Sequence, residues 1–192
     1  MQLWVGLGNP DAAAALQRHN VGFMALDAIA ATHGFSPARQ KFRGLVADGA
    51  IAGQRILAVK PQTYMNDSGE SVQPAAAFHK IPPDRIVVFH DELDLAPGRV
   101  RVKRGGGNAG HNGLRSIDRV LGTADYWRVR IGIGHPGHKD RVVGYVLSNF
   151  AKAEQAWLAE LLSALSDSAP LLAEARVEDF MTRVAALTQE PN

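Results

Sequence analysis

Short apolar runs separated by segments of helical spacing are the feature that most constrains this chain. Leu3–Leu7 is apolar and is closed by Gly8-Asn9-Pro10, which reads as a buried strand ending in a turn. Ile86–Phe89 is a second such run and leads directly into His90-Asp91-Glu92. Trp127–Ile133 is a third. Between them Val21, Met24, Ala28 and Ala31 keep a helical period, with Asn20 placed to cap it and Gly34 to stop it. Leu45–Lys60 alternates loosely around Gly49 and Gly53, as a hairpin does, and Leu114–Leu121 reads as a helix. Strands interleaved with helices predict an α/β fold. The expected form is one domain over residues 1–192, a three-layer sandwich whose twisted, mixed, mostly parallel sheet carries helices on both faces. A chain of 192 residues can bury roughly 70% of its unfolded surface and needs no covalent staple.

Two segments are less determinate. Pro61–Gly69 is a polar loop, and Asp67 with Glu70 resembles a capping box. Pro74 then falls inside the helix, so the helix either begins near Gln73 or kinks there. From 152 to 192 a helical pair is expected to pack on the domain. Leu158, Leu161, Leu162 and Leu165 sit at helical spacing, and the break between the two helices is expected at Pro170.

Composition removes several classes of chemistry. The chain has no cysteine, which excludes a disulfide framework, a thiolate metal site and a cysteine nucleophile. The opening MQLWVGLGNP has no basic region followed by a long apolar stretch, so a secretory signal is not expected. No window of 18 consecutive apolar residues is present, and the expected compartment is the cytoplasm. Formal net charge is only +2, but its distribution is uneven. Residues 99–141 hold 10 basic and 3 acidic residues, whereas residues 142–192 hold 3 basic and 7 acidic. A basic block of this kind is either a solvated face or a patch for a polyanion such as nucleic acid.

The familiar motifs fit poorly. Gly105-Gly106-Gly107-Asn108-Ala109-Gly110 matches G-x-G-x-x-G, with Asp125 twenty residues after Gly105, but that acid precedes the next strand instead of ending it. His135 and His138 form H-x-x-H around Pro136-Gly137, a turn, so a metal hydrolase has weak support. No G-x-S-x-G elbow is present. A hydrolase built from these residues activates water directly.

What stands out is polar residues at element ends: Asn9, His19-Asn20, Asn66, Asp91 and His111-Asn112. Singly, each passes as a cap or turn former. Strand C-terminal ends in an open α/β sheet face one crevice, however, so Asn9 and Asp91 can share a site. A histidine beside a carboxylate and several amides makes a general base with orienting and oxyanion-stabilising partners.

These residues lie in seven ordered blocks: VGLGNP (5–10), RHNVGF (18–23), KPQTYMNDSG (60–69), HDELDLAPG (90–98), GGGNAGHNGLRSI (105–117), RVRIGIGHPG (128–137) and VVGYVLSNF (142–150). Together they resemble the bacterial peptidyl-tRNA hydrolase family over most of the chain. The resemblance implies cleavage of the ester between a peptide and the terminal ribose of tRNA, by a cytoplasmic monomer that uses no cofactor and no metal. It implies that His19 is the base, Asp91 its partner and Asn9 a further catalytic residue. Met65, Asn66, Gly110, His111 and Asn112 then bind the substrate. Lys103 and Arg130 clamp the tRNA 5′-phosphate, and His135 and Lys139 lie near further tRNA contacts; the partner is peptidyl-tRNA, met at its acceptor stem, CCA end and 5′-phosphate. An RNA-binding factor without catalysis on the same fold is the alternative. The chain departs from the family at Asp11-Ala12-Ala13-Ala14-Ala15, where a glycine and then a tyrosine are usual.

Overall fold

The computed structural model describes residues 1–188. Its strands are β1 (Gln2–Gly6), β2 (Arg39–Lys41), β3 (Gly44–Ile51), β4 (Gln54–Pro61), β5 (Ile86–Glu92), β6 (Val100–Arg104) and β7 (Trp127–Gly132). They form one sheet in the order β2-β3-β4-β1-β5-β7-β6. The four inner strands β4, β1, β5 and β7 are parallel, and antiparallel pairs flank them on both sides.

β1 and β5 read as unbroken apolar runs because both of their faces are covered. Leu3, Val5 and Leu7 point into one layer with α2 (Gly69–Phe78) and α3 (Asn112–Leu121). Trp4, Val87 and Phe89 point into the other, with α1 (Val21–Thr32), α5 (Gln155–Ala173) and α6 (Val177–Thr188). A short helix, α4 (Val142–Val146), follows β7. Fully burying each Leu, Val or Phe of these layers contributes about 1.5–3 kcal/mol. The α/β sandwich expected from the sequence is therefore present, with the parallel pairing confined to the centre.

The hairpin is also present. β3 and β4 pair antiparallel from Gly44↔Pro61 to Ile51↔Gln54, and Ala52 and Gly53 turn at positive φ. Gly49 lies inside β3, where a Cβ would come within 2.1 Å of the Phe35 ring, so the glycine admits that ring against the strand.

At Pro74 the start near Gln73 is excluded, and at Pro170 the expected break is corrected. α2 begins at Gly69, directly after a 3-10 turn at Met65–Asp67, with no side-chain cap. It runs through Pro74, which forgoes the bond that position would make to the Glu70 carbonyl. Likewise α5 runs through Pro170 to Ala173. The break falls at Ala175, which adopts φ +61 while the Arg176 N–H donates to the Leu171 carbonyl. A left-handed residue just past the helix satisfies its last carbonyls and sets its end. Of the expected 152–192 segment, residues 189–192 lie outside the described residues.

Candidate active site

The parallel strands end on one side of the sheet, and the polar ends of β1 and β5 meet there. Leu7 is buried, and the chain turns at Gly8-Asn9-Pro10. A 3-10 turn, Arg18–Asn20, leads into α1. Gly22 allows that helix start to press on the strands, since a Cβ there would lie 2.3 Å from the Phe89 carbonyl oxygen. This close approach brings His19 to the end of β5.

His19 Nδ1 lies 2.8 Å from Asp91 Oδ2. The other carboxylate oxygen, Oδ1, lies 2.7 Å from His111 Nε2. His111 is the N-cap of α3, and its Nδ1 accepts the N–H groups of Gly113 at 3.1 Å and Leu114 at 3.3 Å. The neighbouring His90 is buried, donates from Nδ1 to the Asp91 carbonyl at 2.8 Å, and stacks edge-on against His111.

The electrostatics follow from burial and from these contacts. Burial acts to lower the pKa of His19, but the charge and hydrogen bond of Asp91 outweigh it and raise the value above that of a free imidazole. Burial acts to raise the pKa of Asp91, yet the two imidazoles hold it far below the usual carboxylate range. His90, buried and beside His111, is pushed down to about 3 and is neutral.

A second set of hydrogen bonds shapes the floor. Asn20, the expected cap of α1, makes no cap with its side chain. It bonds instead to the backbone of Asn9, with Oδ1 accepting from Asn9 N at 2.9 Å and Nδ2 donating to Asn9 O at 3.0 Å. Asn9 Oδ1 in turn accepts from Met65 N at 2.9 Å, which leaves its Nδ2 as a donor. Asn9, His19, Met65, Asn66, Asp91, Gly110, His111 and Asn112 all line one cavity of about 660 Å³. His135 and Lys139 sit on its wall, beside an apolar side formed by Val142, Val143, Val146 and Leu147. Tyr64 stands well exposed on the rim, whereas Ala14, where the family tyrosine is usual, is buried.

Lys103 and Arg130 do not line the cavity. They share a sheet face, because Arg101 pairs with Arg130 and Lys103 with Arg128 across β6 and β7. Several cations of the basic block are paired. Arg128 is buried and held by Asp118 at 3.0 Å and the Gly107 carbonyl at 2.7 Å. Arg130 pairs with Glu92 at 3.1 Å, and Arg104 with Asp125. The glycine loop follows an antiparallel edge strand, not the first strand of a parallel unit, and Asp125 is committed to Arg104. A dinucleotide fingerprint is thus absent in geometry as well as in context.

His19, Asp91 and His111 offer ligand atoms within 4.8 Å of one another, a spacing that also suits a metal ion. Here both carboxylate oxygens are engaged by ring nitrogens, and one His111 nitrogen is engaged by the helix. Loading a metal requires those hydrogen bonds to break.

Arg18 has a role that no sequence motif marks. This buried residue donates to Ser148 Oγ at 2.5 Å and to the Asn149 carbonyl at 2.9 Å, pairs with Glu154, and stacks on Tyr145 at 4.3 Å. It ties the turn that carries His19 to the segment after α4. Its only signal in the sequence is its place beside His19.

Comparison with known proteins identifies the family. A profile described as Peptidyl-tRNA hydrolase matches residues 3–192. The peptidyl-tRNA hydrolase of Granulibacter bethesdensis is 69% identical over 97% of this chain and 96% of its own. That of Acidiphilium cryptum is 66% identical over 99% of each. The crystal structure of the Acinetobacter baumannii peptidyl-tRNA hydrolase superposes with a TM-score of 0.90 at 41% identity, covering 97% of this chain and 95% of that one. With a whole-chain profile match and relatives at this identity, the chain belongs to the peptidyl-tRNA hydrolase family.

Proposed function

We propose that this protein hydrolyses the ester between the C-terminal carboxyl of a peptide and the terminal ribose hydroxyl of tRNA, releasing both for reuse. The observation that carries the reading is the buried His19–Asp91 pair at the end of the parallel strands, opening on the cavity. Asp91 holds the His19 proton on Nδ1, which leaves the Nε2 lone pair as the base. Neutral His19 takes a proton from water, and the hydroxide attacks the ester carbonyl. The imidazolium formed is stabilised by Asp91. It returns the proton to the ribose oxygen as the tetrahedral intermediate collapses. General-base help of this kind is worth about 10²–10⁴ in rate.

Around that step, Asn9 presents its free amide donor to the substrate, and Asn66 or Asn112 donates to the developing oxyanion. One well-placed donor contributes about 3–4 kcal/mol. Met65 and Gly110 complete the wall of the substrate site, beside the His111 ring that meets Asp91. Lys103 and Arg130 take the 5′-phosphate, while His135 and Lys139 contact the acceptor stem and CCA end. Tyr64 offers the exposed ring on which a terminal base can stack, an interaction worth about 1–3 kcal/mol. The protein works as a cytoplasmic monomer, one domain with its helical end packed on it, and needs neither metal nor cofactor for this step. Among the described residues no helix is long and apolar enough to cross a membrane.

The test is release of tRNA from an N-acetylated aminoacyl-tRNA. His19→Ala is expected to lower turnover by at least about 10² while tRNA affinity stays near wild type. Near wild-type release by His19→Ala would discard the assignment. Binding of peptidyl-tRNA by the wild type without cleavage would favour a non-catalytic RNA-binding factor.

A further inference from the structure

We propose that His111 is a positioning residue for this reaction, fixing the Asp91 carboxylate so that His19, and not His111, serves as the base. The inference rests on the hydrolase reading above.

Two imidazoles approach one carboxylate at nearly equal distance, 2.8 Å for His19 and 2.7 Å for His111. Proximity to Asp91 therefore does not distinguish them. The other nitrogen of each ring does. His111 Nδ1 accepts two N–H groups from the first turn of α3, so that nitrogen carries the lone pair and Nε2 carries the proton. A proton on Nδ1 would face two donors at the positive end of a helix. Both nitrogens of His111 are thus committed, one to the helix and one to Asp91 Oδ1, and the ring has no free base. His19 has only Nδ1 committed, and its ring lines the cavity.

The two hydrogen-bonded ends make His111 a brace. Ser, Thr, Asp and Asn are the usual N-caps, but none of them caps a helix and also extends a ring nitrogen to a carboxylate. The ring is held on three sides. His90 packs edge-on at 5.1 Å and 70°, and His19 lies at 5.1 Å. On the third side, Gly113 is so close that a Cβ there would come within 3.1 Å of His111 Cε1. A carboxylate held by one donor can turn about its terminal torsion, whereas donors on both oxygens stop that rotation. The other titratable groups facing the cluster are Glu92, paired with Arg130, and Asp94, His135 and Lys139 on the cavity wall.

His111→Asn separates the two roles, because the amide oxygen still caps α3 but nothing reaches Asp91 Oδ1. The expected result is a fall in kcat of roughly ten- to a hundredfold, the cost typical of removing a group that orients a reacting ligand from behind. KM for N-acetylated aminoacyl-tRNA stays near wild type. The acid limb of kcat/KM moves to higher pH, since Asp91 without a competing donor is a stronger partner for the His19 imidazolium. In the wild type, ring ¹⁵N NMR at neutral pH is expected to show His111 protonated on Nε2 only. A rise in KM alone overturns the proposal and makes His111 a substrate-binding residue. An unchanged kcat and acid limb, or a His111 ring protonated on Nδ1, overturns it as well. Failure of the underlying reading is separable, because it appears as tRNA release that survives His19→Ala.

Discussion

His19 sits where two opposing influences act on one ring. Burial favours its neutral form, and Asp91 favours the charged one and prevails. If His19 is the base, as proposed, it must be neutral to act, and kcat/KM is expected to rise with pH through a midpoint above the free-imidazole value of about 6.5. Asp91→Asn removes the stabilising charge and leaves burial unopposed, so the limb moves to lower pH. Turnover also falls, by up to about 10⁴ when the loss of a carboxylate releases the wrong tautomer. A pH profile of tRNA release for the two proteins checks both signs. Individual residues were unevenly legible in the sequence. His19 and Asp91 stood out as polar residues at element ends, but Asn20 had a simpler reading as a helix cap. Its actual partner, the Asn9 backbone, is eleven residues away in another turn.

Elements were legible where their cause was local. β1, β5 and the β3–β4 hairpin followed from apolar runs and turn residues. Pro74 left a late start or a kink open and Pro170 misled, because tertiary packing carries α2 and α5 through them. The link between elements was not visible at all. Arg18 joins the turn bearing His19 to residues 145–154, and the Gln17↔Asn149 bridge adds to it. Arg18→Ala is expected to destabilise the fold by about 3–5 kcal/mol, as when one partner of a buried ion pair is removed. KM should also rise as α4, the apolar wall of the cavity, loses its anchor. Denaturant unfolding alongside steady-state kinetics checks this, and Arg18→Lys should recover only part of the loss because a lysine lacks the guanidinium fork. A stable variant with unchanged KM would show that α4 holds its place without this anchor.

Across the whole molecule, charge is the property that folding revised most. The basic block at 99–141 reads as either a solvated face or a polyanion patch, and in the fold Arg104, Arg128 and Arg130 are each paired with a carboxylate. Asp118 and Asp125 already stand in the block's own balance, so Glu92 is the one carboxylate these pairs add from outside it. Lys103→Ala with Arg130→Ala is expected to weaken tRNA binding and to reduce its salt slope by roughly 0.7–0.9 for each phosphate no longer neutralised. Cleavage of a short esterified fragment without the 5′-phosphate should stay near wild type. An equal reduction on tRNA and on the fragment would remove the clamp assignment.

The sequence by itself determined the alternation of elements and the absence of thiol chemistry, and it carried the candidate residues His19 and Asp91. Hydrophobic period and turn-forming residues act over a few positions and are written locally. Tertiary structure decided which side chains touch. His19 and Asp91 are 72 residues apart and His111 and Asp91 are 20 apart. Their meeting depends on β1 lying beside β5 and on a glycine letting α1 press against both strands. A hydrogen bond acts over about 3 Å, so only the folded sheet could decide that one carboxylate would serve two imidazoles.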